Sequence, residues 1–168
     1  MGAFKDAHGG ALRNLYLEAD AAEAAKRGSG ERKSWDLTDR QLCDLELLMN
    51  GGFSPLEGFL GQADYESVLE SMRLSNGLPW SLPVCLAVDG PPQGDRIALA
   101  DESGTPVAVL EVEGVYDYDK EREAELTYRT IDQEHPGVAA GSLASPGNCG
   151  VARSKTVTLP ARYIGLCP

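Results

Sequence analysis

Few residues in this chain have the type and spacing to do chemistry. Its 168 residues include two histidines, His8 in "HGGAL" and His135 in "EHPGV", and four cysteines, Cys43, Cys85, Cys149 and Cys167. A catalytic histidine needs a nucleophile to activate or a carboxylate to orient it. Glu134 adjoins His135, but sequence neighbours rarely face one another, so His135 is expected to be a turn residue whose ring bonds to backbone. The cysteines lie far apart with no Cys-x-x-Cys pair, unlike zinc sites and redox dithiols. They read as buried or incidental thiols, and a disulfide scaffold is not expected in a chain of this size with no secretion signal. The run "DYDKERE", Asp117 to Glu123, is acidic enough to attract a divalent cation. It lacks the alternating ligands and fixed glycine of a calcium loop and reads as solvated surface.

Phosphate cradles fare no better. "NGGFSPLEG" is glycine-rich but follows a helix, whereas dinucleotide and P-loop glycines follow a strand and open a helix. "GVAAGSLASPG" has the wrong spacing and no basic residue, and no Gly-x-Ser-x-Gly elbow occurs. The net charge is −11, with 15 Lys and Arg against 26 Asp and Glu. That balance repels phosphate backbones, and the basic residues near the start are scattered among acids. No run approaches the ~20 apolar residues of a membrane helix, and the N-terminus lacks a signal peptide's apolar centre. The expected location is cytoplasmic, with neither nucleic acid nor membrane as partner.

The elements that would position any site come next. "EADAAEAAKR", Glu18 to Arg27, reads as an exposed helix closed by Gly28-Ser29-Gly30. Residues 1–34 then form an N-terminal arm with a helix, and 35–168 a single domain. Thr38 and Gln41 can form a capping box ahead of Leu42, Leu45, Leu48 and Met49, which share one helical face. Asn50 and Gly51 suit that helix's C-terminus. "FSPLEGF" is then a corner, with Pro55 fixing the turn and Phe53, Leu56 and Phe59 anchoring it inside. A further helix is expected over Ala63 to Leu74, with Asp64 as cap and Tyr65, Val68, Leu69 and Met72 facing inward.

From Trp80 onward the pattern is strand-like. "WSLPVCLAV" reads as one strand, with Pro83 favouring an edge or bulge. "RIALA" and "PVAVLEVEGVYDY" flank a turn at Asp101-Glu102-Ser103-Gly104, with Val107, Val109 and Leu110 alternating with their neighbours and Gly114 hinting at a bulge. "DKEREAEL" reads as a short helix, "TIDQEHPGVAAGSLASPGN" as a loop, and "CGVARSKTVTL" as a last strand. Helices followed by strands favour an α+β domain with a mostly antiparallel sheet or small barrel.

"LTDRQLCDLELLMNGGFSPLEGFLGQADYESVLESMRLSNGLPWSLPVCLAV", Leu37 to Val88, resembles the N-terminal domain of ATP sulfurylase (sulfate adenylyltransferase). "HGGAL" and "DQEHPGV" agree with it, so the likeness covers nearly the whole chain. The resemblance implies a PUA-like mixed β-barrel with N-terminal helices packed against it, over residues 35–168. Enzymes of that family join ATP and sulfate into adenosine 5′-phosphosulfate and pyrophosphate. They do so in a second domain marked by Gln-x-Arg-Asn-Pro-x-His, whose Arg and His groups hold anionic oxygens.

That motif is missing from this chain: Arg13-Asn14 is followed by Leu15. The resemblance therefore implies no catalytic residue, no cofactor and no metal here, ATP and magnesium belonging to the family's catalytic domain. It implies a structural role without activity by itself, with that catalytic domain as partner and other subunits of a homo-oligomer as a further candidate. The docking candidates are Asn50, Gly51, Gly52, Phe53, Pro55, Glu57, Phe59 and His135. The alternative is a standalone PUA-like homologue that binds RNA or regulates sulfur metabolism.

Overall fold

The computed structural model describes residues 6–18, 20, 21, 24, 34–88, 94–117, 119–139, 149–152 and 157–158, the last two stretches as backbone alone. In chain order the elements are β1 (Ser34–Asp36), α1 (Asp39–Asn50), α2 (Gln62–Ser71), β2 (Leu86–Val88), β3 (Arg96–Ala100) and β4 (Pro106–Glu111). There follow β5 (Gly114–Asp117), α3 (Lys120–Tyr128), β6 (Cys149–Ala152) and β7 (Val157–Thr158). They fall into two units: Met1–Gly58, Gln93–Glu111 and Ser154–Pro168 form the first, and Phe59–Pro92 with Val112–Arg153 the second. The helix expected over Glu18 to Arg27 lies largely outside the described residues.

In the first unit α1 starts where its sequence requires. The Thr38 hydroxyl accepts from the Gln41 amide at 3.3 Å, and the Gln41 side chain accepts from the Thr38 amide at 3.0 Å. The reciprocal bonds satisfy two of the orphan donors of the first turn. Leu45, Leu48 and Met49 are buried, while Leu42 is only half-buried. Each fully buried leucine contributes about 1.5–3 kcal/mol relative to exposure, enough for this face to fix the helix's orientation.

The sheet of this unit has the order β1-β3-β4-β7, with β1 parallel to β3 and the other pairs antiparallel. The β3–β4 hairpin turns where the sequence suggests, around Asp101. Its Oδ1 accepts from the Ser103 and Thr105 amides, each at 2.9 Å, and Gly104 takes φ +76°. Arg96 and Glu111 pair across the open end. The expected alternation in β4 does not hold, since Val107 through Leu110 are all buried. A strand covered on both faces reads as a continuous apolar run.

The second unit carries β2-β6-β5, all antiparallel. "PVAVLEVEGVYDY" is thus two strands in two sheets. Gly114 opens β5 where a bulge was expected, because the chain changes sheet over Val112 and Glu113. "CGVARSKTVTL" divides in the same way into β6 and β7, and only Leu86–Val88 of "WSLPVCLAV" is strand. Pro83 lies outside that strand, which is at the edge of its sheet.

Helix α2 is shorter than Ala63 to Leu74. Gly61 is its N-cap, and Met72 ends it in the left-handed region at φ 53° and faces outward instead of inward. Asp64 is not the cap. Its carboxylate accepts from the Ser75 amide at 2.9 Å and hydroxyl at 2.5 Å, which ties the chain after α2 back to the helix's first turn. Tyr65, Val68 and Leu69 are buried as expected. Arg122 of α3 bonds Glu66 of α2 at 2.6 Å and Glu70 at 3.4 Å. Burial, and next the Glu123 carboxylate, push the Tyr65 phenol well above its ordinary value. Its ring lies 5.3 Å from that of Tyr116, whose hydroxyl donates to the Leu60 carbonyl at 3.2 Å.

The architecture is α+β, with mixed pairing in the first sheet. Closure into a barrel is not seen among the described residues.

Candidate functional site

The corner after α1 is built from backbone hydrogen bonds gathered by small side chains. Gly51 is the C-cap at φ +84°, a conformation that costs a residue with a Cβ about 1–2 kcal/mol. The Phe53 amide donates to the Leu47 carbonyl at 3.0 Å, and the Asn50 side-chain oxygen accepts from the Gly52 amide at 2.8 Å. Ser54 is the hub. It is buried, its hydroxyl donates to the Gly51 carbonyl at 2.7 Å, and its oxygen accepts from the Arg13 amide at 2.9 Å. The Ser54–Pro55 peptide is cis. Leu56 and Phe59 are buried, whereas Phe53 is only half-buried and so anchors the turn less completely than the sequence suggests.

The partner of this corner is the segment around residues 12–15. Besides the Arg13 bond, the Leu15 amide donates to the Met49 carbonyl at 2.9 Å, satisfying one of the orphan carbonyls at the end of α1. The Arg13 guanidinium pairs with Glu57 at 3.2 Å, half-exposed and therefore contributing about 0–1 kcal/mol. A Cβ on Gly51 would stand 2.7 Å from the Arg13 carbonyl oxygen and 2.8 Å from the Leu12 side chain. This close approach, more than the turn, is why residue 51 has to be glycine. Segment 12–15 is thus a strap across the helix end.

Of the docking candidates, the structure gathers Asn50, Gly51, Gly52, Phe53, Pro55 and Glu57 in one corner of the first unit. Phe59 and His135 belong to the second unit. His135 behaves as the turn residue expected of it: its Nδ1 accepts from the Gly137 amide at 3.2 Å, and its carbonyl accepts from Ala139 at 2.9 Å. Its ring lies 5.1 Å from that of Tyr128. It thereby starts a helical turn over 136–139, inside the segment read as loop; 140–148 lie outside the described residues.

Two groups on or beside α1 are shifted from their ordinary values. Burial, then the Glu46 carboxylate, raise the Tyr16 phenol above its ordinary value. Burial also raises the Asp44 carboxyl, against the lowering effect of Arg40. Among the described residues no group of three His, Cys, Asp or Glu side chains could hold a metal ion. Ser54 is fully engaged with backbone, so its hydroxyl is not presented as a nucleophile.

The family model for PUA-like domains matches residues 5–152. The chain belongs to the PUA-like domain family. Curated relatives of this PUA-like domain are sulfate adenylyltransferases. It is 48% identical to that of Kluyveromyces lactis over 142 residues, covering 78% of this chain and 28% of the relative. To that of Synechococcus sp. it is 44% identical over 136 residues, covering 78% and 35%. For the Chloroflexus aurantiacus protein the identity is 51% over 107 residues, covering 62% and 28%. The chain thus spans about a third of the length of these relatives. Among solved structures it is similar to a hexameric APS kinase from Thiobacillus denitrificans, with a TM-score of 0.65 and 25% identity. That match covers 95% of this chain and 28% of the other. The resemblance first carried by "NGGFSPLEGF" and its flanks is therefore shown at the level of family and relatives.

Sequence reasoning missed Leu12, Arg13, Leu15 and Ser54 as parts of this site. A signal for Ser54 existed: a small hydroxyl residue between paired glycines and a proline, at a helix end rich in orphan carbonyls. Nothing comparable marks the strap. Its Arg13 amide bonds to Ser54, 41 positions away, and its Leu15 amide to the distant Met49, and its side chains carry no periodic pattern.

Proposed function

We propose that this chain is the N-terminal PUA-like domain of a sulfate adenylyltransferase and acts as its docking scaffold, without adenylyl transfer of its own. One observation carries the reading: sulfate adenylyltransferases match it at 40–51% identity while it spans only 28–39% of their length. Two features support it. The polar atoms of the corner are spent on holding the strap, and the Arg-Asn-Pro-x-His segment that marks the family's chemistry has no counterpart at Arg13-Asn14-Leu15.

The partner in this reading is the domain that joins ATP to sulfate, giving adenosine 5′-phosphosulfate and pyrophosphate. ATP and magnesium would be bound there. Further subunits of an oligomer are a second class of partner, since the hexameric neighbour has the same fold. No helix among the described residues is long and apolar enough to cross a membrane, and the reading carries with it a cytoplasmic address.

The test is pyrophosphate release from ATP and sulfate. The purified chain should give none above background. Adding it to the remaining part of the Kluyveromyces lactis enzyme, expressed separately, should raise the rate of that part. Release by the chain alone would overturn the reading, as would a mixture no faster than its components.

A further inference from the structure

Three large apolar side chains of the first unit stand exposed among its described residues: Leu12 of the strap, Tyr16 directly after it, and Leu47 at the helix end beneath. Leu12 is 66% exposed, Tyr16 41% and Leu47 39%. Leu12 lies over Gly51 and Leu47 against Gly52, consecutive residues of the same turn. Tyr16 follows Leu15, which is bonded to Met49, and its phenol senses Glu46, the residue before Leu47. Scattered single leucines on a surface need no explanation, whereas a gathered apolar face rimmed by polar groups marks an interaction site.

The face is also set before any partner arrives. Two hydrogen bonds, from the Arg13 amide to the Ser54 hydroxyl oxygen and from the Leu15 amide to the Met49 carbonyl, fix the strap, and the Arg13–Glu57 pair holds its outer edge. A surface ordered in advance loses little conformational freedom on association, so even a small apolar patch can be productive there.

Charge and length choose the occupant. Two copies of a chain of net charge −11 repel each other, and the patch carries Glu46 on its rim, which disfavours a second copy. The Kluyveromyces lactis relative has more than two thirds of its length beyond what this chain covers. We infer that Leu12, Tyr16 and Leu47 form the face on which the remainder of a sulfate adenylyltransferase-length chain docks, through an apolar surface with a basic rim. This rests on the proposed function and names the surface that function uses. The corner glycines and Ser54 would then act indirectly, by holding the strap in place.

The experiment is hydroxyl-radical footprinting of two whole proteins: this chain, and a chimera in which it replaces the matched segment of the Kluyveromyces lactis enzyme. Oxidation of Leu12, Tyr16 and Leu47 should fall several-fold in the chimera relative to the chain alone. Leu47→Ser should lower the chimera's melting temperature more than that of the chain. An active chimera whose three residues stay as reactive as in the chain would overturn the inference and leave the proposed function standing. A chimera that releases no pyrophosphate would overturn both. Protection already complete in the dilute chain would assign the face to the chain's own residues. Protection that grows with the chain's concentration would assign it to a second copy; either result overturns the inference.

Discussion

Gly51→Ala separates the two demands placed on the residue that ends α1. The first is conformational: at φ +84° a side chain costs about 1–2 kcal/mol. The second is spatial, because the new Cβ would meet the Arg13 carbonyl at 2.7 Å, and a backbone atom cannot swing aside as a side-chain tip can. Relief requires the strap to lift. That breaks the Arg13–Ser54 and Leu15–Met49 hydrogen bonds, each contributing about 0.5–1.5 kcal/mol. The total is about 3 kcal/mol, or a fall in melting temperature of roughly 6–12 °C for a chain of this length.

Gly77→Ala is the control. Gly77 has nearly the same backbone, φ +86°, but nothing lies within 4 Å of its Cβ position, so about 1 kcal/mol and a drop of about 2–4 °C are expected. Thermal unfolding of both variants, with amide exchange read at Arg13 and Leu15, gives the comparison. Equal losses in the two variants would refute the strap, as would unchanged exchange at Arg13 and Leu15 in Gly51→Ala.

Ser54→Ala should cost about 1–3 kcal/mol by urea unfolding, since it strands the Arg13 amide next to a buried methyl group, and should speed exchange at that amide. Asp101→Asn tests the hairpin. The Ser103 hydroxyl first, and then the Thr105 and Ser103 amides, hold the Asp101 carboxyl below its ordinary value. Its contribution is therefore complete above the unfolded value near 3.9 and is lost as pH falls through the lower folded value. The variant should be less stable than the parent at neutral pH, with the gap in melting temperature closing as the solution is acidified below the unfolded value near 3.9 and on through the lower folded one. Arg122→Gln removes the pairs to Glu66 and Glu70, which are partly exposed. It should cost no more than about 1 kcal/mol in dilute buffer and still less in concentrated salt.

Local chemistry was legible in the sequence and long-range chemistry was not. The Thr38–Gln41 box, the glycine end of α1 and the Asp101 turn each depend on residues within five positions of one another, and each forms as read. Asp64 looked like a cap by the same logic, but its carboxylate found Ser75, eleven residues on, and Gly61 began the helix instead. Met72 kept the helical spacing of an inward residue yet ended α2 in a left-handed turn, a competition periodicity does not report. The division of "PVAVLEVEGVYDY" between two sheets follows from pairings with residues near 96–100 and 149–152, far along the chain. Six of the eight candidate residues sit in the strapped corner, found through the resemblance. The strap itself escaped, because a segment recognised only by the backbone it covers leaves no residue pattern of its own.

Pyrophosphate release by the chimera, with this chain in place of the matched part of the Kluyveromyces lactis enzyme, tests the docking role most directly. The account predicts release from ATP and sulfate near the parent's rate, and a marked fall when Gly51→Ala is introduced, because the strap no longer presents its face. A soluble chimera that stays inactive would contradict it, and so would one whose rate Gly51→Ala leaves untouched.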